Sequence, residues 1–419
     1  MVQMRRSNKE CREKFQPIHD PCVHRVSYDG SSHTQVLVAT YGSVWPKVLP
    51  YCFANVFLTF VIGYLRSEKI VDLTISSTPH SFLAVMLAYF IVTRAAIITN
   101  RFMEARTHLE SLIRSATEIV HMACVLSKYN RIETAVAWRR HVARKTIVLM
   151  RVAIVALEHQ SSDEDAWDLT ELIYHDRDVI ETLRRRAGNT DGDESGDDDG
   201  RVNGSKSNRG SCIPRFDCVK KSTIRDAEEN FRAPIQFALD LRQLVLSPRS
   251  GGILEKKFHI CDEVMIFMGI EAFMTAFFNL RKLVVASFPF PKVQMGRTLL
   301  FIWVFTLPLC LVGVYENRVM MLVITFLMTY GFLGLEYVSM ELDDPFGNDP
   351  NDFDDLKMAQ MAFEDIYMTL YQIDGVESAD RVRAAVLGRK ETDAFELFKL
   401  EHQKMRSVPS AESENQYFP

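Results

Sequence analysis

Five long apolar runs decide most of what this chain can become. Val48–Leu65 (VLPYCFANVFLTFVIGYL) is 18 residues without a charge, and Leu73–Thr93 (LTISSTPHSFLAVMLAYFIVT) gives 21 more. Thr298–Tyr315 and Val319–Leu335 add 18 and 17, and Val264–Leu280 adds 17 that are apolar apart from Glu271. About 20 apolar residues in a helix cross a hydrocarbon core roughly 30 Å thick. One such run suits a buried core helix. Five in one chain, with Trp and Tyr near several ends, exceed what a soluble fold houses. The runs imply an integral multi-pass membrane protein, and a helical one, because a helix satisfies its own backbone groups in lipid. Four crossings are expected, with the two runs flanking Glu316–Arg318 read as one crossing plus one dipping or cytosolic helix.

The averages hide this pattern. Mean hydropathy over the 419 residues is −0.04, as in a soluble protein, because the apolar residues are concentrated in blocks. A net charge of −5 argues against general nucleic-acid binding, which needs a basic excess. The first residues, MVQMRRSNKECREKF, contain no apolar stretch of the kind a secretory signal requires. Eight scattered cysteines form no CxxC pair, so zinc and redox motifs are absent. Cys52, Cys261 and Cys310 lie in apolar runs, where a thiol behaves as a small hydrophobe. No Ser-His-Asp set, phosphate loop or HExxH occurs, so the chain is not expected to be an enzyme.

The charges between the runs divide the chain. A cytosolic segment over 1–45 precedes a first membrane pair over 46–103. A charged, helix-forming region over 104–259 follows, interrupted at 189–211 by a polar Gly/Ser/Asp-rich insert expected to be disordered. A second membrane group is expected over 260–340, an acidic turn and cytosolic helices over 341–404, and a polar tail over 405–419. Arg5, Arg6, Lys9, Arg12, Lys14, Arg25 and Lys47 precede the first span, and Arg94, Arg101 and Arg106 follow the second. The positive-inside tendency puts the N-terminus and the middle region on the cytoplasmic side.

Two stretches carry candidate chemistry. In TPHSFLAVMLAYFIVTR (Thr78–Arg94), Thr78 and Pro79 open a helix. Thr78, Phe82, Met86 and Phe90 then recur every four residues. Such a face either packs on a neighbouring helix or, in several copies, lines a pore whose apolar rings gate by dewetting. The second stretch, SMELDDPFGNDPNDFDD (Ser339–Asp355), crowds aspartates after the last apolar run. It is either a helix stop whose carboxylates face water or a metal clasp. It is not an EF-hand: counting from Asp349, the fifth position is Phe353, the sixth is Asp354 where Gly is required, and the twelfth is Gln360.

TPHSFLAVMLAYFIVTR resembles the neck helix of the bestrophins, a family of anion channels. The following NRFMEAR (Asn100–Arg106), the FPFP at Phe288–Pro291 and the PFGNDPNDF at Pro345–Phe353 resemble the same family, in its microbial and plant branch, in the same order. The resemblance runs from about Gln35 to Leu356, without the insert. It implies an all-α pentamer around a central pore, with four membrane helices and a helical cytosolic vestibule per subunit. It implies passage of chloride and of other monovalent anions such as bicarbonate or nitrate. The family's neck positions fall on Thr78, Phe82 and Met86; Thr78 departs from the bulky apolar residue usual there. In calcium-gated members a clasp takes two carboxylates after the Pro-Phe-Gly corner and main-chain carbonyls before it. Those carboxylates fall on Asp349 and Asp352, and the carbonyls on Glu341 and Asp344, which makes calcium the implied cofactor. Asn348 and Pro350 depart from the more acidic animal pattern.

Three further readings stay open. Glu271, an ionisable group inside an apolar run, is either functional or a neutral helix contact. His80, beside the neck entrance, either responds to pH or packs. Ile260 and Val264 are candidates for a second, cytosolic constriction. Two other functions compete with an anion channel: a calcium-responsive membrane scaffold, and a coupled anion transporter, which would place charge near the membrane midplane. Plasma membrane and thylakoid are both compatible with the sequence.

Overall fold

A computed structural model describes residues 26, 33–70, 74–158, 231–250, 253–254, 258–286, 288–315, 317–346 and 349–386. The expected insert at 189–211 and the tail at 405–419 lie outside them, as do Gly347 and Asn348 of the acidic turn. Ten α-helices are found among the described residues, with one short 3-10 turn and no strand. In chain order they are α1 (His33–Val38), α2 (Trp45–Ser67), α3 (Ser77–Leu126), α4 (Glu133–Glu158) and α5 (Ala233–Leu246). After the turn Ser247–Ser250 come α6 (Ile260–Val285), α7 (Phe290–Val314), α8 (Arg318–Asp343), α9 (Asp355–Asp374) and α10 (Val376–Val386).

Local chemistry sets several boundaries. Pro46 lies in the first turn of α2, where a missing N–H is harmless. Asn317 caps α8, its Oδ1 accepting from the backbone N–H of Val319 at 3.0 Å and of Met320 at 3.4 Å. α3 is 50 residues long. At 1.5 Å per residue that is about 75 Å, far more than a bilayer core, so much of α3 lies beyond the lipid.

The chain divides into two compact units. One comprises Pro21–His108 and Lys282–Asp354 and carries α2, the first part of α3, α7 and α8. Among the described residues these four helices are the ones long and apolar enough to cross a membrane, and the protein is an integral membrane protein. The reading of the runs flanking Glu316–Arg318 is therefore corrected: both are spans. The Val264–Leu280 run, in α6, is not among the four. Within this unit α2 packs on α8 and α7. Val48, Cys52, Leu87, Ile91, Leu300, Trp303, Val304, Leu307 and Leu333 form its core. A buried polar seam adds specificity that apolar contact in lipid cannot supply. Asn55 Nδ2 donates to Val304 O at 3.1 Å and to Thr329 Oγ1 at 2.7 Å, and Thr59 Oγ1 lies 3.3 Å from Thr325 Oγ1.

The other unit comprises Met1–Asp20, Leu109–Arg281 and Asp355–Pro419. In it α4 packs on α5, α9 and α10, and α9 on α10. Val120, Cys124, Ala143, Ile147, Phe363, Ile366, Leu370 and Val382 form a core there. Gly375, at φ +87°, ends α9 in the left-handed conformation that an L side chain resists, and its N–H reaches Tyr371 O at 3.1 Å. α6 belongs to this unit up to Arg281.

Candidate functional site: the neck face and the acidic turn

The neck candidates lie on α3 as the sequence suggests. Phe82 is 72% exposed and Met86 57% exposed, with Thr78 exposed beside them. Val85, Tyr89 and Val92 join the same face, each more than half exposed. The opposite face, Leu87, Ile91, Arg94 and Ile98, is buried. Phe90 does not belong to the exposed stripe and is half-buried. The reason is geometric: with 3.6 residues per turn, a step of four drifts about 40°, so the face continues through 85 and 89 instead. One chain thus presents a band of large apolar side chains with no partner of its own.

His80 borders this face and is held by α7. Its ring stacks on Trp303 with centroids 5.0 Å apart, its Nε2 lies 3.2 Å from Trp303 O, and Trp303 Nε1 donates to His80 O at 3.2 Å. The reciprocal bonds give His80 a packing role. Glu271 is exposed on α6 and lies outside the four candidate spans. Ile260 and Val264, on the same helix, are 67% and 48% exposed.

The acidic turn is tied together by the chain's own groups. Asp352, buried, accepts from the backbone N–H of Asp349 on Oδ2 at 2.7 Å. Glu341 pairs with the Lys47 ammonium and accepts from Asn351 Nδ2 at 2.9 Å. The same Nδ2 donates to Gly42 O at 2.9 Å, and Val26 N–H donates to Pro350 O at 2.9 Å. Gly42 sits at φ +69°, and a Cβ there would run into Val26. Phe353 packs between Phe346, at 5.5 Å between centroids, and Phe102 of α3, at 4.6 Å. Asp344 Oδ1 accepts from Phe346 N–H at 3.4 Å. Partial desolvation raises the Asp344 carboxyl above its ordinary value, the neighbouring Asp343 and Asp349 push it the same way, and the Phe346 N–H opposes them.

The turn bears on the calcium expectation. Among the described residues no three His, Cys, Asp or Glu side chains are grouped to hold a metal ion. Asp349 and Asp352 lie in one turn, yet Asp352 is spent in part on an amide and Glu341 on a lysine. A calcium ion wants six to eight oxygens, so here it would compete with the protein's own donors.

Sequence reading missed the ion pairs of the membrane unit. Arg94 and Glu336, each 6% exposed, are paired, and Arg297 Nε reaches the same Glu336 oxygen at 2.7 Å. Arg101 Nη1 lies 3.4 Å from Asp343 Oδ1, while Nη2 donates to Leu283 O at 2.8 Å and Ala286 O at 2.6 Å. In the other unit Arg139 is paired with Asp374, both fully enclosed. The only sequence signal was the presence of single charges at the ends of apolar runs.

Comparison with known proteins agrees with the fold. Among the solved structures that resemble the chain, three illustrate the likeness. Two are single-site variants of a bacterial bestrophin homologue from Klebsiella pneumoniae, each 16% identical, with TM-scores of 0.57 and 0.53. They cover 77% and 76% of this chain and 99% of their own. A third, described only as a membrane protein, is 18% identical with a TM-score of 0.55, covering 79% of this chain and 98% of its own. At these identities the likeness establishes the fold. A comparison with curated protein sequences finds no match. The sequence profile of the bacterial/fungal bestrophin family matches residues 25–186 and 238–367, well over half of the chain. Four membrane helices, an apolar face on the second and a fold shared with bacterial bestrophins, together with that match, make this chain a member of the bestrophin family.

Proposed function

We propose that the protein is a channel for monovalent anions, chloride with bicarbonate or nitrate, in which several copies surround one pore lined at its neck by Thr78, Phe82 and Met86. Membership of a family of channels, not enzymes, supports the general reading. The observation that carries the finer one is the exposed band Phe82, Val85, Met86, Tyr89 and Val92. A band this apolar on a single chain needs lipid, another copy or a narrow lumen against it. Around a pore it would hold a constriction that wets and dries. The absence of any charge from Leu73 to Thr93 suits passive passage better than coupled transport. The number of copies proposed is five, from the family.

Calcium control is a second reading, favoured by the Asp344 carboxyl, which partial desolvation first and the nearby Asp343 and Asp349 second hold above its ordinary value. A cation would relieve the repulsion among these carboxylates. Asp349 and Asp352 would hold it, with main-chain oxygens of Glu341 and Asp344. Purified protein in chloride-loaded liposomes tests the first reading. Rapid chloride efflux is expected; liposomes that retain chloride would refute it. Efflux recorded from nanomolar to millimolar free calcium tests the second: a flat response rules it out.

A further inference from the structure

The first turns of α7 carry more positive charge than the chain neutralises. Among the described residues the Lys292 ammonium meets no carboxylate, and it lies over the Phe288 ring, 5.5 Å from the centroid. Arg94 of α3 lies 5.8 Å from the centroid of that same ring. Arg94 and Arg297 converge on a single oxygen of Glu336, its Oε1, which Arg297 reaches through Nε at 2.7 Å. Arg94 Nε is buried without a hydrogen-bond partner. Three cations and one carboxylate thus gather around Phe288 and Glu336, a surplus of two positive charges. The carboxylates further along α8, Glu341 and Asp343, are taken by Lys47 and Arg101.

The sequence gives this surplus a depth. Thr298–Tyr315 is 18 uncharged residues, about 27 Å of helix and close to one hydrocarbon core. Arg297 immediately precedes that run and marks the hydrocarbon boundary. Lys292 lies five residues before it, about 7.5 Å further out, at the level of lipid phosphates. Arg94 follows the second apolar run, on the side that the basic residues mark as cytoplasmic. The cytoplasmic leaflet is the one rich in anionic lipids. The shape fits as well. On one side of α7, Leu300, Trp303, Val304 and Leu307 are buried in the core of the unit, and on the other Phe290, Met295, Phe301 and Ile302 are exposed. At about 100° per residue the exposed four fall within a sector of about 140°, and Lys292 and Arg297 fall at its two edges. Helix side chains lean toward the N-terminus, here the cytoplasmic end, so the stem of Arg297 stays among apolar groups while its head rises toward Lys292.

We infer that the cytoplasmic end of α7 is a binding site for an anionic phospholipid, its phosphate held between Lys292 and Arg297 and its acyl chains laid along Phe301 and Ile302. An apolar strip that begins between two cations has the outline of such a lipid. Glu336 holds Arg297 through Nε and leaves the terminal guanidinium nitrogens for the phosphate, which a planar fork of donors suits. Arg94 stays behind Phe288 and contributes its field without touching the lipid. A zwitterionic lipid brings its own cation beside the phosphate and gains less from this surplus. A free phosphate carries the same charge but leaves the strip uncovered.

The full chain in a non-ionic detergent tests the site. Its thermal midpoint is followed while dioleoyl phosphatidic acid, dioleoyl phosphatidylcholine or inorganic phosphate is added. Phosphatidic acid should raise the midpoint at concentrations where the other two leave it unmoved. In Lys292→Gln the concentration giving half the effect should rise about fivefold, what one cation contributes near an anionic surface. Lys292→Arg should restore it. Arg297→Gln on top of Lys292→Gln should weaken binding further; because it also removes a partner of Glu336, the two Lys292 variants, which touch no ion pair, decide the matter if the double variant fails to fold. Arg318→Gln, at the other end of the membrane unit where α8 begins, should bind as the parent does. Equal shifts with phosphatidylcholine would overturn the site, as expected if a second copy of the chain or any lipid covers the strip. So would equal shifts with inorganic phosphate, the mark of a free-anion site, or a Lys292→Gln response no weaker than that of Arg318→Gln. No ion need pass for this result, so a silent channel would count against the channel reading and leave the lipid site to stand or fall alone.

Discussion

The neck face of α3 and the acidic turn after α8 are opposites when seen on one chain. At the neck, Phe82, Val85 and Met86 are apolar and exposed. In the turn, Glu341, Asn351 and Asp352 are polar and engaged, by Lys47, by Gly42 O and by the Asp349 amide. The difference shows which feature is complete. The turn closes within a single chain and can be understood from it. The neck face is costly in water and purposeless alone, so it gains its meaning only from what surrounds it. A residue pattern that looks unfinished in one subunit is the stronger pointer to assembly.

Breaking the buried ion pair behind the neck face should have the largest effect. Glu336→Ala strands the buried Arg94 and leaves Arg297 without its carboxylate, a change of about 3–5 kcal/mol for a buried pair deprived of one member. A marked fall in the thermal midpoint of the detergent-solubilised protein is expected, and an unmoved midpoint would mean the pair is not buried in solution. Next comes the neck itself. Phe82→Ala with Met86→Ala should wet the constriction and raise open probability about tenfold, equivalent to roughly 1.4 kcal/mol. Unchanged currents from this well-folded variant would remove both residues from the pore.

The turn offers smaller effects. Asp352→Ala removes the acceptor of the Asp349 N–H and should cost about 1–3 kcal/mol, the penalty of an unmet amide. If calcium acts here, current against free calcium should flatten in Asp349→Ala and Asp352→Ala alike. Calcium-sensitive currents indifferent to both substitutions would place the sensor elsewhere. Smallest is Lys47→Gln. The Lys47 side chain is 51% exposed, and water screens such a pair to about 0–1 kcal/mol. A larger destabilisation would show that Lys47 holds the turn more firmly than its exposure suggests.

Much of the membrane unit was legible because lipid imposes a one-dimensional rule. A long uncharged run can span, and α2 and α3 were visible as such, while the runs of α7 and α8 were both seen but read as one crossing plus one dipping or cytosolic helix. The spacing put Phe82 and Met86 on one face, which is exposed, although the four-residue step misplaced Phe90 by drifting off it; their place at a neck came from the family resemblance. The same hydropathy misjudged the Val264–Leu280 run. An apolar run cannot say what will cover it, and in α6 protein covers one face: Ile266, Ile270, Phe273 and Phe277 are buried while Met268 and Glu271 are exposed. The ion pairs were out of reach for another reason. Arg94 and Glu336 are 242 residues apart, and no local period records a partner chosen by tertiary packing. The acidic turn was visible as a cluster, but its fastening to Lys47 and Gly42 depends on that same long-range folding.

The measurement that goes to the centre of the account is a planar-bilayer recording of the purified full chain in asymmetric chloride. A passive anion pore predicts single-channel steps whose reversal potential follows the chloride gradient toward its Nernst value. A reversal potential near that of the cation would contradict it, as would a coupling-dependent current that needs a second ion gradient, or a bilayer that stays silent.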